Sequence, residues 1–290
     1  MADPPRFAPY AGLLLAVLAV SSSAVLVRLA SAPAPVIATH RLLITVALIL
    51  PFLTAPRRAQ IAALSRRELG LCGLGGVLLA IHFLAWFQSL ALTSVASSTV
   101  LVTLQPLFAF AGARVLFGER LPGRAVLAAS VAMAGGVLIG WGDLRVAGSA
   151  LLGDALALSA AAMIAGYFLV GQRVRPGIDV LPYTAVVYGT AAAVLLIATP
   201  LAGYPLWAYP ARDWILFAAM AVGPTLLGHS VLNWCVRWLG ASVIAVAILA
   251  EPVGASALAW VVLGEPPRLV HLAGGGVILL GIGAFMRYRR

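Results

Sequence analysis

Glu251 is the residue in this chain whose type and place most clearly suggest chemistry. It is the only acid deep within an apolar stretch, and Pro252 follows it. A charge at the centre of a bilayer costs roughly 2.5–3.5 kcal/mol on insertion scales, so such an acid should face a polar interior and have a partner. Excluding water favours the protonated form, which makes Glu251 a candidate proton carrier. Pro252 lacks an N–H and frees a carbonyl one turn earlier, near Ile248. A neutral Glu hydrogen-bonded to a neighbouring helix is the structural alternative.

Other side chains extend the candidate site. Gln105 also precedes a proline, Pro106, and can touch a solute or tie two helices together. His82 and Trp86 are four apart, so they share a helix face, with Phe83 and Phe87 on a neighbouring one. His229 and Asn233 repeat that spacing. An aromatic-lined cavity with a few polar groups suits a compact organic solute. Arg41, beside His40, could hold a carboxylate or phosphate bidentately; it could equally cap helix-end carbonyls or snorkel outward. Tyr167 and Tyr188 are weaker substrate-binding candidates. Ser21, Ser22 and Ser23 suit close helix packing as well as solute contact.

The elements that must position these residues are membrane spans. Hydrophobic residues make up 62% of the 290 and charged residues 10%, the latter mostly between apolar stretches of about twenty residues. That length crosses a hydrocarbon core roughly 30 Å thick. Only helix satisfies the backbone along a segment bare to lipid. Ten spans are predicted: 8–30, 34–53, 69–92, 95–117, 122–142, 149–172, 181–203, 213–236, 240–263 and 269–287. The fold class is therefore an all-α polytopic membrane protein. Short connections leave no room for a soluble catalytic domain. Cys72 and Cys235 fall inside spans and read as small core residues.

The net charge is +10, and every basic residue is Arg. With the N-terminus in the cytoplasm, the inside ends and connections hold Arg6, Arg57, Arg58, Arg66, Arg67, Arg114, Arg120, Arg124, Arg173, Arg175, Arg237, Arg287, Arg289 and Arg290. The outside connections hold Arg28, Arg145, Arg212 and Arg268. This positive-inside bias places both termini in the cytoplasm. Placed at span ends, the arginines speak for membrane orientation and against nucleic acid. Ala30-Ser31-Ala32 resembles a signal-peptide cleavage site, but Arg28 interrupts the apolar run and the repeat described next needs a permanent first helix. Trp141, Trp207 and Trp214 sit near span ends, as interfacial belts do.

Shifting the chain by 146 residues lays Gln105-Pro106 on Glu251-Pro252 and Gly118-Glu119 on Gly264-Glu265. Val100, Ala109, Ala111, Ala113, Val131 and Gly135 then meet identical residues. Five spans per half is an odd number, so the second half enters from the opposite side. The expected domains are a first five-helix repeat, 1–145, and an inverted second, 146–290. In transporters built this way the substrate site lies near the midplane between the repeats.

With "ATHRLL" around Arg41, "ALTSVASSTVLVTLQPLFAFAGARVLFGERL" at 91–121 and its echo "GASVIAVAILAEPVGASALAWVVLGEPP" at 240–267, the chain resembles the drug/metabolite transporter superfamily in its ten-helix, two-repeat (EamA-type) form. The resemblance spans nearly the whole chain. It implies a central cavity framed by spans three, four, eight and nine. An Arg at position 41 is common in that family whatever the substrate, which favours a structural role. One departure is Pro266, where the first half has Arg120.

The resulting expectation is a secondary active transporter in a bacterial-type inner membrane. It would move a small metabolite, amino acid or drug-like solute, by proton antiport for export, with no cofactor and no metal. A passive facilitator or an integral membrane enzyme are the alternatives. An enzyme would need acid, base or metal ligands clustered at one depth, and here they are scattered. The Gly-x-Gly-Asp string at 140–143 matches intramembrane aspartyl proteases, but Asp143 falls at the outer rim and no second acid sits opposite. Gly136 and Gly140 form a GxxxG that reads as helix packing or homodimerisation.

Overall fold

A computed structural model describes residues 7–93, 95–141, 149–264, 266–267 and 269–289. Arg6, Asp143, Arg145, Glu265, Arg268 and Arg290, and the side-chain positions of Gly140 and Trp141, lie outside the described residues. Among those described, nine helices are long and apolar enough to cross a membrane: α1 Ala8–Leu29, α2 Ala34–Phe52, α3 Arg66–Leu92, α4 Ser97–Phe117, α6 Ala150–Gly177, α7 Val180–Leu201, α8 Ala211–Leu239, α9 Ala241–Leu263 and α10 Leu269–Tyr288. A shorter apolar helix, α5 Gly123–Trp141, completes the ten. Large apolar side chains such as Leu14, Leu18, Leu127, Leu152, Ile197 and Leu280 point outward, while Thr39, Arg41, Gln105 and Asn233 are buried. That distribution is the one a hydrocarbon solvent selects.

The packing follows the repeat. α3 lies on α6, and α8 on α1; α3 also meets α7, and α8 meets α2; α4 lies on α6, and α9 on α1. α2 with α7, α4 with α9, and α5 with α10 pair across the middle. Exchanging the halves turns α1 into α6, α2 into α7 and so on, and it returns these same pairs. A two-repeat architecture is thus visible in these contacts.

Glycine sets the α5–α10 crossing. A Cβ added at Gly135 would lie 2.7 Å from the Gly274 carbonyl oxygen, and one at Gly281 would lie 2.7 Å from the Ala132 Cβ. Gly135 and Gly281 are the pair matched by the 146-residue offset. Gly136, by contrast, faces Val100 of α4 at an ordinary 3.9 Å. The close approach therefore runs through Gly135, one residue away from the GxxxG read in the sequence.

Among the described residues, the departures from smooth spans that bear on the site are in α3, α4, α8 and α9. α3 begins at Arg66, earlier than expected, because Ser65 and Glu68 form a capping box: the Ser65 hydroxyl accepts from the Glu68 N–H at 3.2 Å, and the Glu68 carboxylate accepts from the Ser65 N–H at 2.9 Å. α4 is broken between Val102 and Pro106, and α9 between Ile248 and Glu251. Pro106 offers no N–H to the Val102 carbonyl, and Pro252 offers none to that of Ile248. α8 is π-helical over Ala221–Ser230. There Pro224 cannot serve the Met220 carbonyl, which instead accepts from the Thr225 hydroxyl at 2.9 Å. Nothing in the apolar periodicity announced that segment.

Candidate functional site

The breaks in α4 and α9 both line one small cavity of about 30 Å³. Its wall takes Ser23 from α1, His82 and Trp86 from α3, Thr103 and Gln105 from α4, His229 from α8 and Glu251 from α9. Val102 and Ile248 line it too, so the residues whose carbonyls the two prolines leave without a helical donor are at the cavity. Breaking a helix inside a membrane is tolerated where the freed backbone lines a polar space.

The paired histidines approach each other. The His82 and His229 rings lie 6.5 Å apart, centroid to centroid, and His82 stacks on Trp86 at 5.8 Å. One ring nitrogen of His82, Nδ1, pairs with the Ala160 carbonyl at 2.9 Å. Trp86 Nε1, Gln105 Oε1 and His229 Nδ1 are buried without a hydrogen-bond partner among the described residues. Buried polar groups are normally satisfied, so this wall is short of partners on several sides. Glu251 is buried in the same wall, 6% exposed, and makes no hydrogen bond among the described residues.

Arg41 does not snorkel and does not cap a helix end. It is fully buried; its Nε donates to Thr225 Oγ1 at 2.6 Å and Nη1 donates to Ser23 Oγ at 2.9 Å. Its guanidinium lies 4.3 Å over the Phe83 ring. Such cation–π contacts contribute about 2 kcal/mol when desolvated. One side chain thus ties α1, α2, α3 and α8 together directly behind the cavity, reaching its wall through Ser23.

Of the nine solute-contact candidates, His82, Trp86, Gln105, His229 and Glu251 come together in the cavity wall. Arg41, Tyr167, Tyr188 and Asn233 pack behind it. Asn233 is fully buried; its amide donates to the Tyr167 hydroxyl and, at 2.8 Å, to the His229 carbonyl. Tyr188 and Ser230 pair through their hydroxyls at 3.1 Å. The side chains behind the wall therefore fix how His229 is presented. Thr103 and Thr225 escaped the sequence reading; the break at Pro106 and the π-helical turn at Pro224 are what place them. His40 faces away, boxed by Trp207, Trp214 and Phe217 at 4.7–5.7 Å. Cys72 and Cys235 are buried free thiols.

The EamA-like transporter family matches residues 8–141 and 151–287, once per half. Among solved structures, one described as a crystal structure of a protein matches with a TM-score of 0.80 over 99% of each chain, at 20% identity. At that identity the likeness shows the fold. No curated protein sequence matches.

Proposed function

The chain belongs to the EamA-like transporter family, and from that premise we propose that it exports a small organic solute across the bacterial inner membrane in exchange for protons. The solute binds in the cavity between the halves, against Trp86, His82 and His229. Glu251 carries the proton. Rocking of the halves exposes the cavity to one side and then the other, and Glu251 gains or loses its proton as water reaches it.

One observation supports this reading above the rest. Glu251 sits at a helix break in the wall of the cavity, opposite its repeat mate Gln105, with no hydrogen-bond partner among the described residues. A merely structural acid would be expected to hold one. Glu251→Gln keeps the shape and removes the titrating proton. In proteoliposomes it should abolish accumulation driven by a pH gradient while leaving solute exchange largely intact. If the variant still concentrates solute, Glu251 is structural and the protein is a passive facilitator or is driven otherwise.

The distribution of arginine supports an orientation with both termini in the cytoplasm. Cysteines introduced at Ser31 and Pro210 should react with an impermeant thiol reagent from the periplasmic side. Those at Ser65 and Pro176 should not, and the reverse pattern would invert the molecule.

A further inference from the structure

A second cleft, of about 490 Å³, lies away from the central cavity, where the end of α4 and the start of α5 meet the start of α9. Arg114, Arg120 and Glu119 line it, together with Ser242 and the apolar Phe110 and Val126. Gly118, at φ +69°, ends α4 and turns the chain so that Glu119 N–H bonds the Ala113 carbonyl at 3.2 Å. That turn brings Arg120 beside Arg114 at the cleft. Neither guanidinium is hydrogen-bonded or ion-paired among the described residues.

Two further features favour an anion. α9 starts here, and the first N–H groups of a helix have no acceptor within it and carry a partial positive charge. The Ala241 N–H is taken by Gln172 Oε1 at 2.7 Å, which leaves those of Ser242 and Val243 as the next in line. Ser242 is 1% exposed, lines the cleft, and its hydroxyl has no partner. Two guanidiniums against the single Glu119 carboxylate leave the site net positive, and a buried hydroxyl can complete an anion's coordination.

We infer that this cleft binds the anionic head group of an amphiphile, a phosphate or carboxylate held by Arg114, Arg120 and Ser242 with its apolar part along Phe110 and Val126. The residues that hold the anion are not repeated in the other half of the sequence. At the 146-residue offset Arg114 becomes Trp260, Arg120 becomes Pro266 and Ser242 becomes Ala96. It is separate from the proposed transport cavity, and binding there requires no transport.

The test uses the full-length protein in neutral detergent, with apparent melting temperature and native mass spectrometry as readouts. Phosphatidylglycerol should bind and raise the melting temperature, and phosphatidylcholine should do so at least tenfold more weakly. The Arg114→Gln/Arg120→Gln variant should lose at least tenfold in apparent affinity for phosphatidylglycerol. Ser242→Ala should lose about threefold, and Glu119→Gln should bind more tightly, because it removes the one opposing charge. Displacement of the lipid by millimolar inorganic phosphate would mean that the site also accepts a free anion; no displacement would restrict it to lipid. Both results support an anion site. Equal binding of the two lipids would overturn it. If the double-arginine variant does not fold, unchanged affinity in both Ser242→Ala and Glu119→Gln would overturn it as well.

Discussion

The two halves of this protein share a backbone plan and divide the charge between them. The first half supplies Arg41 and Gln105. At the same offset the second half has Val187 and Glu251. The buried guanidinium therefore comes from one repeat, and the carboxyl at the cavity comes from the other. Both helix breaks, by contrast, are built alike, from a proline preceded by a long polar side chain. The difference teaches that the breaks are common to both repeats, while the charged side chains near them are not. Two mirror-related acids would titrate as a coupled pair and oppose each other's ionisation.

Moving the acid is the most drastic way to break that comparison. Glu251→Gln should abolish gradient-driven accumulation. Adding Gln105→Glu to it returns an acid to the cavity from the other repeat. If the halves are equivalent as scaffolds, the double variant should recover a substantial part of the accumulation, measured in proteoliposomes at matched protein content. If it recovers none, the position of the acid relative to Arg41 matters, and the proximity of a charged helix cannot be supplied from α4.

A smaller effect separates the wall from what stands behind it. Trp86→Phe trims the indole at the cavity while keeping a ring in its buried slot; losing a contact of about 1 kcal/mol corresponds to a rise in KM of roughly fivefold, with a smaller loss of stability than in Asn233→Ala. Asn233→Ala strips the Tyr167 hydroxyl and the His229 carbonyl of a donor. It should lower stability by about 1–3 kcal/mol and reduce transport through the placement of His229. Uptake kinetics paired with thermal melting distinguish the two. Equal losses of stability in both variants would remove the distinction.

Much of this was legible in the sequence because lipid imposes one rule on every span. Nine of the ten ranges are recovered to within a few residues by hydropathy alone; α6 runs on to Gly177. The offset that laid Gln105-Pro106 on Glu251-Pro252 located both helix breaks. What escaped has a common cause: it depends on which neighbour fills a missing hydrogen bond. In the π-helical segment of α8, Pro224 withholds an N–H from the Met220 carbonyl, and the Thr225 hydroxyl donates to that carbonyl. Arg41 reads as a cap or a snorkelling residue until Ser23 and Thr225 are placed beside it. Asn233 shares a face with His229, yet its amide is spent on Tyr167 and the His229 carbonyl rather than on the cavity. Periodicity records which face is apolar, and it is silent about partners contributed by other helices.

The smallest effects should appear where the halves are alike. Gly135 and Gly281 are repeat mates, and each lets α5 and α10 meet at backbone distance. An added Cβ at either would come within 2.7 Å of the facing helix, at the Gly274 carbonyl oxygen or the Ala132 Cβ. Real Cβ atoms do not sit so close, so the helices must part, and overpacking of this kind costs about 1–3 kcal/mol. Gly135→Ala and Gly281→Ala should therefore lower the melting temperature by similar amounts. Gly136→Ala is the control on the adjacent residue: a Cβ there meets Val100 at an ordinary 3.9 Å, and replacing glycine within a helix favours the folded state by up to about 1 kcal/mol. It should leave the melting temperature unchanged or raise it. A larger loss in Gly136→Ala than in Gly135→Ala would mean that the GxxxG face carries a contact beyond this chain, as in a homodimer. Equal losses at Gly135 and Gly281 with none at Gly136 would locate the shared contact within one molecule, at the symmetric crossing of the two repeats.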